Sequence, residues 1–455
     1  MEMILEFLRD ILSQPALLIG IMSCVGLIAL KRPFHKIMTG TLKPILGYLM
    51  LAAGAGVIVS NLDPLGKMIE HGFHITGVVP NNEAIVAVAQ KVLGVETMSI
   101  LVVGLLMNLL IARFTKFKYV FLTGHHSLFM ACLMSAVLGT AGLSGIELIL
   151  VGGFLMGAWS AISPAIGQSY TSKVTDGDEI ALGHFGSLGY YLSAWVAKYV
   201  GKAEESTEDI EIPEKWGFLR DSTLSTALTM IVFYLIAAIA AGSEFVATLS
   251  GSMSPYLFAV MSAMNFAVGV AIVYSGVRMI LGDLIPAFQG IATKIIPNAI
   301  PAVDCAVFFT YAPTAVVLGF ISSFIGGIIG MLILGAVGGV LIIPGLVPHF
   351  FCGATAGIYG NATGGRRGAA VGAFLNGLAI TFLPALALPV LGQLGFQNTT
   401  FGDADFAVMG LVLGNAFEWI GMAGIYGVVV IAALVLIIPN FIKTKGKVIN
   451  YVEEE

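Results

Sequence analysis

Apolar runs of membrane-spanning length alternate with short polar segments along almost the whole chain. An α-helix needs about 20 mainly apolar residues to cross a bilayer. On that basis we predict eleven spans, at about 15–30, 41–60, 97–112, 119–138, 146–163, 224–242, 256–281, 316–340, 345–363, 368–391 and 410–438. The hydrophobic pattern therefore predicts an all-α polytopic membrane protein.

Two segments between predicted spans do not fit a simple membrane helix. The segment Leu284–Val307 contains prolines, a lysine and Asp304, and Leu62–Val86 repeats much of this pattern, with Glu83 in the slot of Asp304. Matching positions are separated by 221 or 222 residues. Proline interrupts helical hydrogen bonding, and irregular backbone at membrane depth is tolerated where it is buried or lines a cavity. We therefore predict two re-entrant hairpins, at 61–95 and 284–307, within a duplicated unit.

The distribution of basic residues predicts the orientation of the chain. Basic clusters follow predicted spans one, three, nine and eleven, and the positive-inside rule makes that side cytoplasmic. The N-terminus then lies outside, and the two repeats, 1–221 and 222–455, are inverted relative to each other, as in many secondary transporters. The polar stretch 164–221 falls on the cytoplasmic side, where we expect an amphipathic helix at Tyr190–Val200 and a solvated acidic loop at 203–214.

Composition supports the membrane assignment and excludes several functions. The chain is 57% apolar and 11% charged, against roughly 45–50% and 25% in soluble domains. Its basic residues are divided among loops, so nothing indicates nucleic-acid binding. The four cysteines form no C-x-x-C motif, and no histidine pair has helical metal-ligand spacing. We therefore predict no disulfide framework, no metal site and no cofactor.

Three histidines are candidates for hydrogen bonding to a polar solute. His125 and His126 stand in TGHHS, at the start of a predicted span, and His184 stands in the glycine-rich segment DEIALGHFGS. A neutral imidazole can both donate and accept hydrogen bonds. The alternative for His125 and His126 is an ordinary position at the membrane interface. His349 falls near the mirrored position in the second repeat.

Intramembrane carboxylates are the second group of candidates. Acids at membrane depth are costly and usually functional, so Asp304 is expected to bind substrate hydroxyls or accept a proton. Glu83 is its counterpart, although the neighbouring asparagines are also typical of an exposed tip. Glu418 is predicted to be buried in the last span or, because the start of that span is uncertain, to lie near the outer interface.

Several long motifs resemble the ascorbate-type membrane component (EIIC) of the bacterial phosphotransferase system, and the resemblance runs nearly end to end. They are TGHHS (123–127), VTDGDEIALGHFG (174–186), GKAEESTEDIEIPEKW (201–216), IPAVDCAV (300–307), APTAVVLGF (312–320) and LIIPGLVPHFF (341–351). The resemblance implies an eleven-span homodimer in the bacterial inner membrane, with a substrate-carrying core domain that moves against a scaffold domain. It also implies uptake of L-ascorbate, phosphorylated by separate cytoplasmic A and B components, with no phosphoryl-acceptor residue in this chain.

The resemblance assigns the substrate site to His125, His184 and Asp304, but the chain departs from the family at three positions. Ala52, Phe129 and Phe185 stand where the family carries glutamine. Exchanging amides for aromatic rings removes hydrogen-bond donors and acceptors. We therefore expect a modified pocket, formed by these residues together with Glu83.

Two functions follow from these observations. The leading hypothesis is a phosphotransferase permease for ascorbate or a related sugar acid, with no catalytic residue of its own. The alternative keeps the fold and replaces phosphorylation with ion coupling, for example proton coupling through Asp304 or Glu418. A channel is less consistent with inverted hairpins, which suit alternating access.

Overall fold

The computed structural model describes residues 11, 14–74, 77–80, 82–210, 222–392 and 399–441. Helices make up most of this part of the chain. They are α1 Pro15–Ala29, α2 Phe34–Phe73, α3 Asn82–Phe114, α4 Gly124–Thr140, α5 Gly145–Thr175, α6 Ser187–Val200, α7 Ser222–Ala241, α8 Ser243–Ser250, α9 Pro255–Lys294, α10 Pro313–Ala336, α11 Leu346–Gly392, α12 Ala404–Ile420 and α13 Met422–Phe441. A 3₁₀ helix, Cys305–Thr310, lies between α9 and α10.

Five very short strands connect some of these helices and form two parallel sheets. They are β1 Val79–Pro80, β2 Tyr119–Phe121, β3 Ala181–Leu182, β4 Ile300–Val303 and β5 Thr399–Thr400. Strand β4 lies between β2 and β3, while β1 pairs with β5 and Val78 also bridges to Ile342. The sheets matter because each places the ends of distant segments side by side.

The prediction of a polytopic helical membrane protein is confirmed. Within the described residues, seven helices are long and apolar enough to cross a membrane, or eight if the bent pair α7 and α8 forms one span. That pair turns by 117° at Gly242, whose φ is 82°. The predicted number of eleven spans is not confirmed by this count.

The predicted re-entrant hairpins are wrong in their first halves. Helix α2 continues without a break through Leu62 and Pro64, and α9 continues through Leu284 and Pro286. One proline removes only one donor from a helix, and the remaining hydrogen bonds of a 40-residue helix keep it continuous. The backbone becomes extended only afterwards, in β1 and β4.

The polar stretch that was expected to begin at residue 164 is partly helical. Helix α5 passes through Pro164 and ends at Thr175, so the fifth span is longer than predicted. A helix is present near Tyr190–Val200, as predicted, but it begins at Ser187 and buries Tyr190, Ala194 and Ala197. Helix α6 packs against α11, and this contact explains why one of its faces is buried.

Helix α11 contains a tight hairpin at the predicted boundary between spans nine and ten. Gly364 and Gly365 leave helical geometry, and Gly365 has a φ of 58°, which favours glycine. The two arms touch closely, because a Cβ on Gly360 would lie 2.4 Å from the carbonyl oxygen of Gly368. Arg366 follows the turn and is exposed.

The acidic segment is not simply a solvated loop. Within its described part, Thr207 is 1% exposed, and its amide donates a hydrogen bond to Oδ1 of Asn361. The Glu208 carboxylate accepts hydrogen bonds from the amides of Thr314 and Ala315, at the N-terminus of α10. The remainder of the predicted loop, 211–214, lies outside the described residues.

Candidate functional site

Four chain segments change from strand to helix at one place, and this junction forms the candidate site. Strands β2, β4 and β3 are parallel neighbours, so their C-terminal ends meet at one sheet edge. They lead into α4 with its two histidines, the 3₁₀ helix capped by Asp304, and the turn that carries His184. Asp403, which follows β5 and immediately precedes α12, joins them, with its Oδ1 3.8 Å from Nδ1 of His184.

Asp304 and His125 are in polar contact at this junction. Nε2 of His125 lies 3.4 Å from Oδ2 of Asp304, and Nδ1 of His125 lies 3.2 Å from the Tyr48 hydroxyl on α2. The other carboxylate oxygen of Asp304 accepts a hydrogen bond from the amide of Ala306 at 3.2 Å. Asp304 is 8% exposed, and this pair therefore connects the 3₁₀ helix with α4 and α2.

His126 and His184 are buried and nearly in contact. Their ring centroids are 3.8 Å apart. Nδ1 of His126 accepts from the amide of Phe185 at 3.3 Å, and Nδ1 of His184 accepts from the amide of Gly186 at 3.1 Å. A nitrogen that accepts carries no proton, so in the neutral rings the proton is on Nε2. Each imidazole then retains one N–H donor.

Asp403 is held beside these rings by two further side chains. Its Oδ2 accepts from Nδ2 of Asn82 at 2.6 Å, and its Oδ1 accepts from the Cys352 thiol at 2.9 Å. Asn82 also accepts from the amide of Gly402 at 2.9 Å. These bonds connect the start of α3 with the start of α12, next to His184.

The carboxylate of Asp405, two residues after Asp403, accepts three hydrogen bonds. It accepts hydrogen bonds from Nε1 of Trp159 at 3.1 Å, from the Ser187 hydroxyl at 2.8 Å and from the amide of Leu188 at 2.9 Å. Its side chain is completely buried. Asp405 therefore anchors the N-terminus of α6, because a carboxylate there satisfies otherwise unpaired helical amides.

A cavity of about 1210 Å³ opens beside this cluster. Its polar lining includes Tyr48, Asn82, His125, His126, His184, Asp304 and Asp403. Apolar residues of α2, α7, α10 and α11 form much of the remaining wall, among them Phe233, Ile328, Met331 and Phe351. A mainly apolar cavity with a few convergent polar groups is the usual form of a small-molecule site.

Most of the predicted site residues lie at this cavity, but not all. Ala52 and Phe129 line it together with His125, His184 and Asp304. Phe185 is instead fully buried, and its ring stacks on Phe121 with centroids 4.6 Å apart.

The remaining candidates lie elsewhere or are not described. The backbone of Glu83 belongs to α3, but its side chain is outside what the structure describes, so its role stays a prediction. Glu418 is exposed near the end of α12, as expected from the alternative placement at an interface. His349 is buried and its Nδ1 lies 2.9 Å from the Ser323 hydroxyl.

Sequence reasoning missed Asp403, Asp405, Asn82 and Tyr48. The two acids lie in the segment FGDADF, directly before the last predicted span, and acids at such a junction are a known sign of a helix N-terminus. The contacts of Asn82 and Tyr48 depend on tertiary structure, so no local pattern marks them. The missing metal-ligand spacing is also uninformative, because His184 comes within 4.8 Å of Asp304 and Cys305, which lie in a different segment of the chain.

Comparison with known proteins places the chain among sugar permeases. A family model described as the sugar-specific permease component of the phosphotransferase system, EIIC-GAT, matches residues 10–405. The ascorbate-specific phosphotransferase EIIC component of Mycoplasma pneumoniae is 26% identical over 417 residues, which cover 78% of this chain and 62% of that protein. The chain thus spans less than two thirds of that relative's length.

Proposed function

Because the chain belongs to the family of sugar-specific permease components of the phosphotransferase system, we propose that it carries ascorbate or a related sugar acid into the cell. Family and helices together make it a multi-pass protein of the bacterial inner membrane. In this proposal, separate cytoplasmic A and B components phosphorylate the solute, and this chain supplies the path.

The convergence of helix N-termini at the cavity is the observation that carries this proposal. The segments that bear His125, Asp304, His184 and Asp403 each end a strand and begin a helix. Helix N-termini present amide donors and partial positive charge, and so favour an anion. The two Nε2–H groups of His126 and His184 add donors suited to hydroxyl and enolate oxygens. An acidic polyol fits this combination better than a neutral, apolar solute.

We propose alternating access between two inverted repeats as the transport mechanism, and matching helices and strands support this proposal. Helices α2 and α9 are each 40 residues long and begin 221 positions apart, at Phe34 and Pro255. The strand pairing is also similar in the two halves. Strand β4 lies between β2 and β3, and the segment around β1 likewise lies between Ile342 and β5. Inverted repeats of this kind place substrate sites at the repeat interface.

The crossing of α2 and α9 supports the inversion in particular. A Cβ on Gly47 would lie 2.9 Å from the carbonyl oxygen of Gly276, and a Cβ on Gly54 would lie 2.7 Å from that of Gly269. Gly47 and Gly269 are 222 positions apart, as are Gly54 and Gly276. Gly47 thus contacts the counterpart of Gly54, and Gly54 contacts the counterpart of Gly47, across an antiparallel helix pair. A two-fold axis in the membrane plane would produce this pattern.

The division into two bodies remains part of the proposal. Helices α1, α2, α7 and α9 pack with one another, whereas α10, α11 and α6 form a second group. We propose that each repeat, 1–221 and 222–455, contributes helices to both a scaffold domain and a core domain. The core moves in an elevator-like manner, and the scaffold forms a homodimer in the lipid bilayer. Chemical cross-linking in native membranes tests the dimer.

Two contacts join segments that we propose to be cytoplasmic. The amide of Lys116 donates to Oδ1 of Asn440 at 2.8 Å, so the end of α3 lies near the end of α13. The amide of Arg366 donates to the carbonyl of Glu205 at 2.8 Å. Labelling of single cysteines introduced near Lys118 and Arg367 tests this orientation, since both sites should react only from the cytoplasm.

The decisive experiment is uptake of radiolabelled ascorbate into vesicles that contain the purified chain. With the cognate A and B components and a phosphoryl donor supplied inside, ascorbate phosphate should accumulate. If the chain does not bind ascorbate in detergent, ascorbate is excluded as the substrate. If it binds ascorbate but accumulation does not depend on the phosphoryl donor, coupling to phosphorylation is excluded.

The alternative function is proton-coupled transport of another small solute on the same fold. The row of carboxylates and imidazoles from Asp304 and half-buried His125 to the buried His126, His184 and Asp403 is the observation that favours it, because carboxylate–histidine chains relay protons in transporters. Uptake driven by a pH gradient without any phosphoryl donor would identify this mechanism.

A further inference from the structure

The cavity has two polar ends, and the junction of strands and helices forms only one of them. Helix α2 lines the cavity from Tyr48, which contacts His125 at the junction, to Asp63, Lys67 and Glu70 at the other end. Tyr48 and Lys67 are 19 positions apart, which is about 28 Å along a helix that rises about 1.5 Å per residue. A sugar acid is much shorter, so one bound molecule cannot reach both ends.

The wall of α2 between the two ends is apolar. Its side chains at the cavity are Leu51, Ala52, Ala55, Val59 and Leu62. These side chains offer no hydrogen-bond donor or acceptor to a polyol. The cavity volume of about 1210 Å³ also exceeds the range of about 300–1,000 Å³ that is usual for one small-molecule site. Two separate positions for a small polar solute are therefore available, one at each polar end.

Lys67 is the cationic group at the second end. Among the described residues that line the cavity, it is the only lysine or arginine. Its Nζ lies 2.8 Å from Oδ2 of Asp63, one turn earlier on α2, and the two side chains are 53% and 61% exposed. An exposed ion pair of this kind contributes little to stability, and an ammonium group can donate to more than one acceptor. Lys67 can therefore exchange Asp63 for another anion at little cost.

We propose that Lys67 forms the first binding position of the acidic solute, at the outer end of the cavity. In the proposed orientation, α2 starts on the cytoplasmic side, because it follows the basic residues Lys31 and Arg32, and its Lys67 end therefore faces the outside. The ammonium binds an anionic oxygen of the solute in place of Asp63, and Glu70 accepts a hydrogen bond from a solute hydroxyl. This inference rests on the proposed function, since it requires an acidic solute that enters from outside.

This first position is weak and acts only at short range. Lys67 exchanges one carboxylate for another acidic group, so its net gain is small, and the solute can leave for the junction, where amides and imidazoles offer more donors. At physiological ionic strength, exposed charges interact over about 8 Å, which is far less than the length of α2 between the two ends. Lys67 should therefore affect entry of the solute, but not its affinity for the junction.

Uptake kinetics test the role of Lys67. Ascorbate uptake is measured in right-side-out vesicles that contain the full-length chain, driven by the phosphoryl donor or, under the alternative function, by a pH gradient. Lys67→Gln should raise KM about 3- to 10-fold without lowering the maximal rate, since charges at the rim of a site mainly change the rate of association. Lys67→Arg keeps the charge and should retain the KM of the parent. An unchanged KM in Lys67→Gln overturns the proposal.

Two further variants separate solute binding from a merely structural ion pair. Lys43→Gln is the matched control, because Lys43 lies on α2 outside the cavity and its Nζ is 3.4 Å from Oδ2 of Asp283. It should behave as the parent does. Asp63→Asn removes the carboxylate that competes for Lys67, so KM should fall about 2- to 5-fold. If the pair only stabilises α2, Asp63→Asn and Lys67→Gln break the same contact and change KM in the same direction. That result, or an unchanged KM in Asp63→Asn, overturns the proposal even if Lys67→Gln does not fold.

Equilibrium binding of ascorbate in detergent distinguishes failure of this inference from failure of the proposed function. If the parent does not bind ascorbate, the proposed function is wrong and the role of Lys67 falls with it. We expect the parent and Lys67→Gln to bind ascorbate with the same affinity, because the junction lies about 28 Å from Lys67 along α2. A loss of affinity in Lys67→Gln as large as that in Asp304→Asn would place Lys67 at the junction, and would overturn the inference of two positions while ascorbate remains the substrate.

Discussion

Asp304 and Asp405 are both buried aspartates at this junction, but their hydrogen bonding differs. Asp405 is completely buried, and three donors from α5 and α6 occupy its oxygens. Asp304 lines the cavity, is bound by one backbone amide, and faces a histidine whose side chain is 38% exposed. Burial alone therefore does not identify a functional acid. A carboxylate with free acceptor capacity toward a cavity can bind a ligand, whereas a saturated carboxylate stabilises the fold.

The largest effect is expected from Asp405→Ala. Removing this carboxylate leaves the indole N–H of Trp159, the Ser187 hydroxyl and the Leu188 amide without their acceptor. Each unsatisfied buried donor costs about 1–3 kcal/mol, so the free energy of unfolding should fall by at least about 3 kcal/mol. Thermal unfolding in detergent measures this loss. Glu418→Ala, at an exposed acid on the same helix, is the control, and an equal loss in both variants contradicts the comparison.

A second test compares Phe185→Gln with Phe129→Gln. Phe185 is fully enclosed, so a buried amide there should lower the free energy of unfolding by about 2–4 kcal/mol. Phe129 lines the cavity, so the new amide can reach water or solute, and stability should change by less than about 1 kcal/mol. Ascorbate affinity, measured by calorimetry, should increase about 5-fold in Phe129→Gln only. Increased affinity in Phe185→Gln would show that its ring does reach the solute.

Asp304→Asn tests the aspartate of this pair that faces the cavity. The amide oxygen can still accept from Ala306, so stability should change by less than about 1 kcal/mol. Loss of the charge should weaken ascorbate binding by about 10-fold or more, since hydrogen bonds to charged groups contribute about 1.5–3 kcal/mol.

The pH dependence of the same variant separates the two proposed functions. If Asp304 binds solute, uptake by Asp304→Asn should be reduced at every pH. If Asp304 carries a proton, uptake driven by a pH gradient should disappear while solute exchange continues. Uptake identical to that of the parent would make Asp304 a structural cap, like Asp405.

The smallest effect is expected from Tyr48→Phe. This change removes only the hydroxyl that lies 3.2 Å from Nδ1 of His125, and a neutral hydrogen bond contributes about 0.5–1.5 kcal/mol. Ascorbate affinity should fall by about 2- to 10-fold, with the midpoint of unfolding nearly unchanged. Tyr426→Phe, on α13 and away from the cavity, is the control variant and should leave affinity unaltered.

Much of the fold was predictable because long apolar runs have one main structural solution in a membrane. The helical class and the turn before Arg366 follow from hydropathy and glycine. The strands were not predicted, since two to four residues carry no periodicity and their partners lie far away in sequence, as Ile300 does from Tyr119. The hairpins predicted near Pro64 and Pro286 failed because the effect of one proline was overestimated.

The site was partly predictable for a similar reason. Histidines and an acid in apolar surroundings are rare, so His125, His184 and Asp304 stood out. Which of His184 and Phe185 would face the cavity could not be derived, because their segment has neither helical nor strand periodicity and its direction is set by the contact between Phe185 and His126. Asp403 was missed because the last predicted span began at residue 410, after the two acids at the start of α12.

The docked segment 201–210 offers a way to observe motion. Glu208 binds the start of α10, and the carbonyl of Glu205 binds the amide that follows the α11 hairpin. The segment is therefore fastened to two helices of the proposed core and should travel with them. A spin label on exposed Asp209, paired with one on exposed Leu42 of α2, would turn a displacement between the two bodies into a measurable change of distance distribution. Adding substrate should then shift that distribution, and a rigid molecule would keep it fixed.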